Sequence, residues 1–236
     1  MDTHRERVAV VTGANRGIGL EFSRQLLAGG WEVVAGYRDT GRSQKLLSET
    51  DGAGRLHPFK IDVTREDDAR QLRAFVSDRF GKLDLLINNA GISTDGKESV
   101  DTIELSSVTA DFNVNVIGPL IVTRELRDLL IAGSQPKVVN IGSRLGSVQL
   151  SSGSIVPYRL SKSALNMLTK IQAEAYGPDG ITVVVVSPGW VRTDMGGDHA
   201  SLSPQESVSA MLHQIEKLNP KKSGKFISIN GAKIPY

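Results

Sequence analysis

An open α/β sheet of seven mostly parallel strands, doubly wound with helices on both faces, is the architecture this sequence predicts. Three observations carry that prediction. Strand-like and helix-like segments alternate along the whole chain. The runs Leu83-Asp84-Leu85-Leu86-Ile87 and Val183-Val184-Val185-Val186 are almost purely apolar, as strands covered on both faces are. Small and amide residues gather just after the apolar runs, at the carboxyl ends of strands, where such a sheet holds its ligands.

Strands are expected near residues 7–12, 31–37, 55–61, 83–88, 136–142, 181–187 and 225–229, with helices near 17–29, 40–50, 65–80, 101–133, 155–176 and 203–219. The first strand is the short β-branched run Arg7-Val8-Ala9-Val10-Val11, bounded by Gly13. The turn Thr12-Gly13-Ala14-Asn15-Arg16-Gly17-Ile18-Gly19 leads into a helix patterned by Leu20, Phe22, Leu26 and Leu27, which stops at Gly29-Gly30. The second strand runs from Trp31 to Gly36 and ends in Tyr37-Arg38-Asp39. The third ends at Asp62-Val63, the fourth in Asn88-Asn89-Ala90-Gly91, the fifth in Gly142-Ser143 and the sixth in Ser187-Pro188-Gly189. Each could be a tight turn alone, but together they mark one end of the sheet.

With 236 residues, no linker and no internal repeat, the chain reads as a single domain over 1–236. Its 28 basic and 26 acidic residues nearly cancel, and no basic stripe suggests nucleic acid as a partner. The absence of cysteine excludes disulfides, thiolate metal sites and cysteine nucleophiles. His4, His57, His199 and His213 are scattered without metal-ligand spacing, so no metal is expected. The charged segment Met1 to Arg7 lacks the apolar core of a signal peptide, and the apolar runs read as too short to cross a bilayer. A cytoplasmic protein without a membrane partner is therefore the expectation.

The glycine turn lies between a strand and a helix. There, backbone can approach a pyrophosphate and free N–H groups can face it. Its spacing is Gly-x-x-x-Gly-x-Gly, and a tight turn in a packed domain is the plain alternative. Arg38 closes the second strand, and Arg16 lies in the turn. Two guanidinium groups there suit a 2′-phosphate and favour NADP over NAD. Asp39 could instead hold a ribose hydroxyl, or simply cap the next helix. Tyr158 and Lys162 stand four residues apart in a helical stretch and so share one face. A neighbouring cation favours the phenolate, so the spacing predicts a Tyr158 pKa below its usual value of about 10.

Taken in order, Thr12 to Gly19, Asp62-Val63, Asn88 to Gly91, Asn115, Ser143, Tyr158 to Lys162 and Pro188-Gly189 through Thr193 resemble the motifs of the short-chain dehydrogenase/reductase family. The stretches Asn140 to Gly146, Tyr158 to Lys162 and Pro188 to Gly197, with the ending Gly224-Lys225-Phe226 and Ile234-Pro235-Tyr236, are similar to its C-factor and sniffer-type carbonyl reductase branch. The resemblance implies a Rossmann fold and an NADP(H)-dependent oxidoreductase that interconverts a carbonyl (aldehyde, ketone or quinone) and an alcohol. Tyr158 would be the general acid/base, and Lys162 would hold the nicotinamide ribose and lower the Tyr158 pKa. Ser143 would bond the substrate carbonyl, and Asn115 would anchor a proton-relay water. Gly13, Asn15, Arg16, Gly17, Ile18, Gly19, Arg38, Asp62, Val63, Asn89, Ala90, Gly91, Tyr158, Lys162, Pro188, Gly189, Val191 and Thr193 would bind cofactor. Ser143, Leu145, Tyr158 and Trp190 would meet substrate, with Ser93, Val148, Leu150, Val156 and Met195 nearby.

Two departures stand out. Ser143 precedes Tyr158 by fifteen residues, slightly more than the family pattern, and Ser147, Ser151, Ser152 and Ser154 are competing hydroxyls. The segment Trp190 to Leu202 is short, which argues against a bulky ligand such as a steroid. A homodimer or homotetramer is implied by the family alone. The rival readings are a non-enzymatic NADP(H) sensor or a signalling protein on the same scaffold.

Overall fold

The alternating apolar runs do form one sheet. A computed structural model describes residues 6–49, 52–94 and 99–236; His4, the segment Met1 to Arg5, and Thr50 at the end of the expected second helix lie outside them. The strands are β1 (Val8–Val11), β2 (Glu32–Tyr37), β3 (Leu56–Lys60), β4 (Leu85–Asn88), β5 (Lys137–Ile141), β6 (Thr182–Ser187) and β7 (Phe226–Ser228), in the order β3-β2-β1-β4-β5-β6-β7. All paired neighbours are parallel. The order reverses between β1 and β4, and this switch point opens a crevice at the carboxyl ends of the strands.

The α-helices are α1 (Gly17–Ala28), α2 (Gln44–Leu47), α3 (Glu66–Phe80), α4 (Leu105–Phe112), α5 (Gly118–Ile131), α6 (Val156–Tyr176) and α7 (Pro204–Glu216). Strand side chains alternate between faces. Val11, Ile87 and Val184 join Phe22 and Leu26 of α1 and Met211 of α7 on one side. Val10, Leu86 and Val183 join Leu72 of α3 and Leu126 of α5 on the other. Leu126 is fully buried, so Leu126→Ala would cost about 2–5 kcal/mol.

Two elements differ from expectation. The second helix is a single turn, because Asp39 builds a tight loop before it. Its Oδ1 accepts from the Arg42 N–H at 3.1 Å and its carbonyl from the Ser43 hydroxyl at 2.5 Å. The helix expected over 101–133 is interrupted by a π-helical turn at Asn113–Ile117. Pro119 has no N–H to give the carbonyl four residues back, that of Asn115, so the regular ladder cannot continue there.

The stretch Leu105–Ile131, at 27 residues, is long and apolar enough to cross a bilayer by length and composition alone. This corrects the expectation that every apolar run is too short. In this fold its Ile121, Val122, Leu126 and Leu130 are packed into the core against α3 and the sheet.

Candidate active site

The glycine turn is stitched to the loop after β4. The Thr12 hydroxyl accepts from the N–H groups of Asn89 and Ala90 at 3.1 and 3.0 Å. The Asn89 amide donates to the carbonyls of Thr12 and Gly13 at 2.9 and 3.0 Å. Gly13 has φ +65, and a Cβ there would meet the Ala90 backbone at 2.8 Å. A Cβ at Gly19 would stand 2.2 Å from the Gly13 carbonyl oxygen. Side chains are thus excluded at these two positions of the turn. Helix α1 starts with no capping side chain and no acidic residue in its first turn. Its first N–H groups and positive dipole end suit a pyrophosphate.

From this turn a cleft of about 1210 Å³ extends along the carboxyl ends of the strands. Every residue expected to bind cofactor lines it, as do Ser143 and Leu145. Trp190 does not line it: the indole is exposed and its Nε1 donates to the Gly196 carbonyl at 2.8 Å, bracing the loop. Of the further residues expected near substrate, Ser93 and Met195 line the cleft, whereas Val148, Leu150 and Val156 do not.

One end of the cleft is basic. Arg38 is joined there by Arg42 and Lys45, which sequence reasoning missed. Their signal was position, Arg42 in the loop directly after β2 and Lys45 in the helical turn that follows it. Arg16 was expected to share this role, but its guanidinium pairs with Asp194 across the cleft mouth. Both side chains are more than half exposed, so the pair contributes little to stability. The Asp39 carboxylate is engaged with the Arg42 backbone, so it serves as a loop cap.

The other end gathers the proton-handling groups. Ser143 lies two residues beyond β5, and its hydroxyl is close enough to the Tyr158 phenol to pull the phenol pKa down. None of the competing serines lines the cleft. Ser147 Oγ accepts from the Leu150 N–H at 3.2 Å, the Ser152 hydroxyl accepts from Arg159, and Ser151 and Ser154 are exposed. Lys162 lies one helical turn after Tyr158. Its Nζ sits 5.5 Å from the centre of the Tyr158 ring and donates to the Ile141 carbonyl at 2.9 Å. A Cβ placed on Gly91 would lie 3.1 Å from Asn115 Oδ1 and 3.5 Å from Lys162 Nζ, so these three residues converge. Asn115 itself is fully buried beneath the cleft wall.

Burial dominates the electrostatics. Tyr158 keeps part of its surface open to the cleft, while its hydroxyl is surrounded by protein. That burial pushes its pKa up to about 12; the Ser143 hydroxyl pulls the other way and buried Asp111 adds to the rise. The expected lowering is therefore corrected. The Lys162 charge lies over the ring face, and removing the phenol from water outweighs it. Burial likewise lowers the Lys162 pKa to about 8, against the pull of Asp111. Asp111 of α4, with no exposed surface, was not foreseen. Its Oδ1 also accepts from the Thr94 N–H at 3.0 Å, on the loop that follows β4.

Residues 7–202 match the model of the short chain dehydrogenase family. The chain belongs to that family. The C-signal protein of Myxococcus xanthus is 38% identical over 167 residues, covering 70% of this chain and all of that protein. The 1-hydroxy-2-glutathionyl-2-methyl-3-butene dehydrogenase of Rhodococcus sp. strain AD45 is 30% identical over 227 residues, or 94% of this chain and 96% of that protein. An NADPH-bound carbonyl reductase from chicken fatty liver superposes with a TM-score of 0.92 at 35% identity, covering 98% of this chain and all of the other. The carbonyl reductase Sniffer of D. melanogaster also gives 0.92, at 27% identity, over 99% of this chain and all of the other. The seven-stranded parallel sheet is thus that of a short-chain dehydrogenase.

Proposed function

We propose that this short-chain dehydrogenase is an NADP(H)-dependent oxidoreductase that interconverts a carbonyl and an alcohol. The observation that carries the reading is that Ser143 and Tyr158 line the cleft together, one helical turn from buried Lys162. A nicotinamide cofactor supplies the hydride. The glycine turn fits its pyrophosphate, because Gly13 and Gly19 leave backbone where any Cβ would collide. Arg38, Arg42 and Lys45 would hold a 2′-phosphate, and Lys162 would take the ribose hydroxyls.

Ser143 and Tyr158 present two hydroxyls to one carbonyl oxygen. Their hydrogen bonds stabilise the negative charge that develops there during reduction. Tyr158 then gives up its proton, and the same group takes one back in the alcohol-oxidising direction. A phenol kept protonated at neutral pH is ready for the reductive role. Lys162 holds positive charge beside the ring and so favours the phenolate left after transfer. The chain also resembles a protein named C-signal, but a complete Ser143, Tyr158 and Lys162 set has a use in catalysis that signalling does not require. The test is NADPH oxidation by the purified protein over a panel of aldehydes, ketones and quinones. Turnover supports the reading, and an inert protein refutes it.

A further inference from the structure

Resting on that carbonyl-reducing reading, we propose that Ile155 limits the size of the apolar group a substrate carries beside its carbonyl, and that Arg159 positions it for this. Among the described residues, only Gln135 and Ile155 combine a side chain with positive φ. Gln135 is unbranched and lies on an exposed turn. Ile155 is β-branched, half-buried, and has φ 57 and ψ 47, the left-handed region that such residues avoid. It also lines the cleft, three residues before Tyr158. Strain of this kind persists only where surrounding contacts impose it, and it concentrates at functional sites.

The imposing contacts come from Arg159. Its Nε donates to the Ser154 carbonyl at 2.6 Å, fixing the peptide that enters Ile155. Its backbone N–H donates to the Ile155 carbonyl at 3.0 Å, fixing the peptide that leaves. Its Nη2 reaches the Ser152 hydroxyl at 2.6 Å and its Nη1 the Leu145 carbonyl at 3.4 Å. The guanidinium fork thus ties the segments that carry the two apolar wall residues flanking Ser143 and Tyr158, namely Leu145 and Ile155. Glycine would satisfy the same backbone without strain. Isoleucine there adds a branched wall. A rigid apolar wall rejects oversized groups, whereas an open one admits them.

The experiment compares wild type with Ile155→Ala, Ile155→Gly and Arg159→Lys on ketones of increasing apolar bulk with NADPH. The readout is the ratio of kcat/KM for the bulkiest accepted ketone to that for the smallest. Both Ile155 variants should raise this ratio by about tenfold or more, the effect of the first methylene or so removed from an apolar pocket. Arg159→Lys, which keeps the charge but loses the planar fork, should move it in the same direction. Thermal unfolding supplies an activity-free check, because the left-handed backbone predicts a higher midpoint for Ile155→Gly than for Ile155→Ala. An unmoved ratio in folded variants, or a lower midpoint for the glycine variant, overturns this proposal alone. A wild type that reduces no carbonyl overturns the functional reading and this proposal with it.

Discussion

Asn115 holds Ile92 by both polar groups of its backbone. The Asn115 Oδ1 accepts from the Ile92 N–H at 2.9 Å, and its Nδ2 donates to the Ile92 carbonyl at 2.8 Å. The same Nδ2 reaches Ser161 Oγ at 2.9 Å, and Ser161 Oγ donates to the Tyr158 carbonyl at 2.8 Å. One side chain on the π-helical turn therefore joins the loop after β4 to the helix that carries Tyr158 and Lys162. A carboxamide is needed, since only it offers an acceptor and a donor side by side.

Asn115→Leu keeps the volume and removes the clasp. Two part-buried backbone groups of Ile92 then lose their partner, at about 1–2 kcal/mol each, the lower end of the penalty for an unpaired buried group. The expected loss of unfolding free energy is about 2–4 kcal/mol, read by denaturant titration, with turnover reduced more than tenfold. A loss below about 0.5 kcal/mol, the range of ordinary surface changes, contradicts the assignment.

Lys162 makes stability depend on pH in a set direction. Folding lowers its pKa from 10.5 to about 8. Between those values the unfolded chain holds more protons, so stability rises with pH. Tyr158 acts oppositely but at higher pH, between 10 and about 12, where the folded state holds more protons and stability falls. Unfolding free energies of wild type and Lys162→Met, compared from pH 7 to pH 10, should therefore converge in favour of wild type by about 2–3 kcal/mol. A constant difference, or one of opposite slope, excludes a buried lysine that gives up its proton easily.

Cofactor preference should follow the basic end of the cleft. Charge-assisted hydrogen bonds to phosphate contribute about 1.5–3 kcal/mol each, the lower figure applying near solvent. Two contacts among Arg38, Arg42 and Lys45 would favour NADPH over NADH by about a hundredfold. Arg38→Asp should reverse the preference by repelling the phosphate and offering the ribose an acceptor. Arg16→Ala should change the preference less than Arg38→Ala, because Arg16 is engaged with Asp194. Paired titrations of the two cofactors check all three, and equal wild-type dissociation constants contradict the account.

The fold could be read from the sequence because its signals are local. Pure apolar runs such as Val183 to Val186 announce two-sided burial, and the glycine cluster between Val11 and Leu20 announces a strand-to-helix turn. Tyr158 and Lys162 were readable for the same reason: helical spacing alone puts them on one face. What the sequence hid depends on distant parts of the chain. The pKa of Tyr158 is decided by how deeply its hydroxyl is buried, which spacing does not report. Arg16 and Asp194 are 178 positions apart, so their pairing leaves no local trace. The left-handed Ile155 breaks a backbone preference under contacts from Arg159, and a propensity reading assigns no isoleucine to that region. The apolar pattern across Pro119 reads as one unbroken helix, so the break at Asn113–Ile117 was not expected.

The central claim is that Tyr158 transfers the proton in carbonyl reduction, and one comparison tests it most directly. Wild type and Tyr158→Phe are assayed with NADPH and the best carbonyl substrate, while NADPH binding is titrated for both. The substitution removes only the hydroxyl and leaves the ring against Lys162. The account predicts unchanged cofactor affinity with turnover lowered about a hundredfold to ten-thousandfold. Wild-type turnover in a folded, NADPH-binding Tyr158→Phe protein would contradict it.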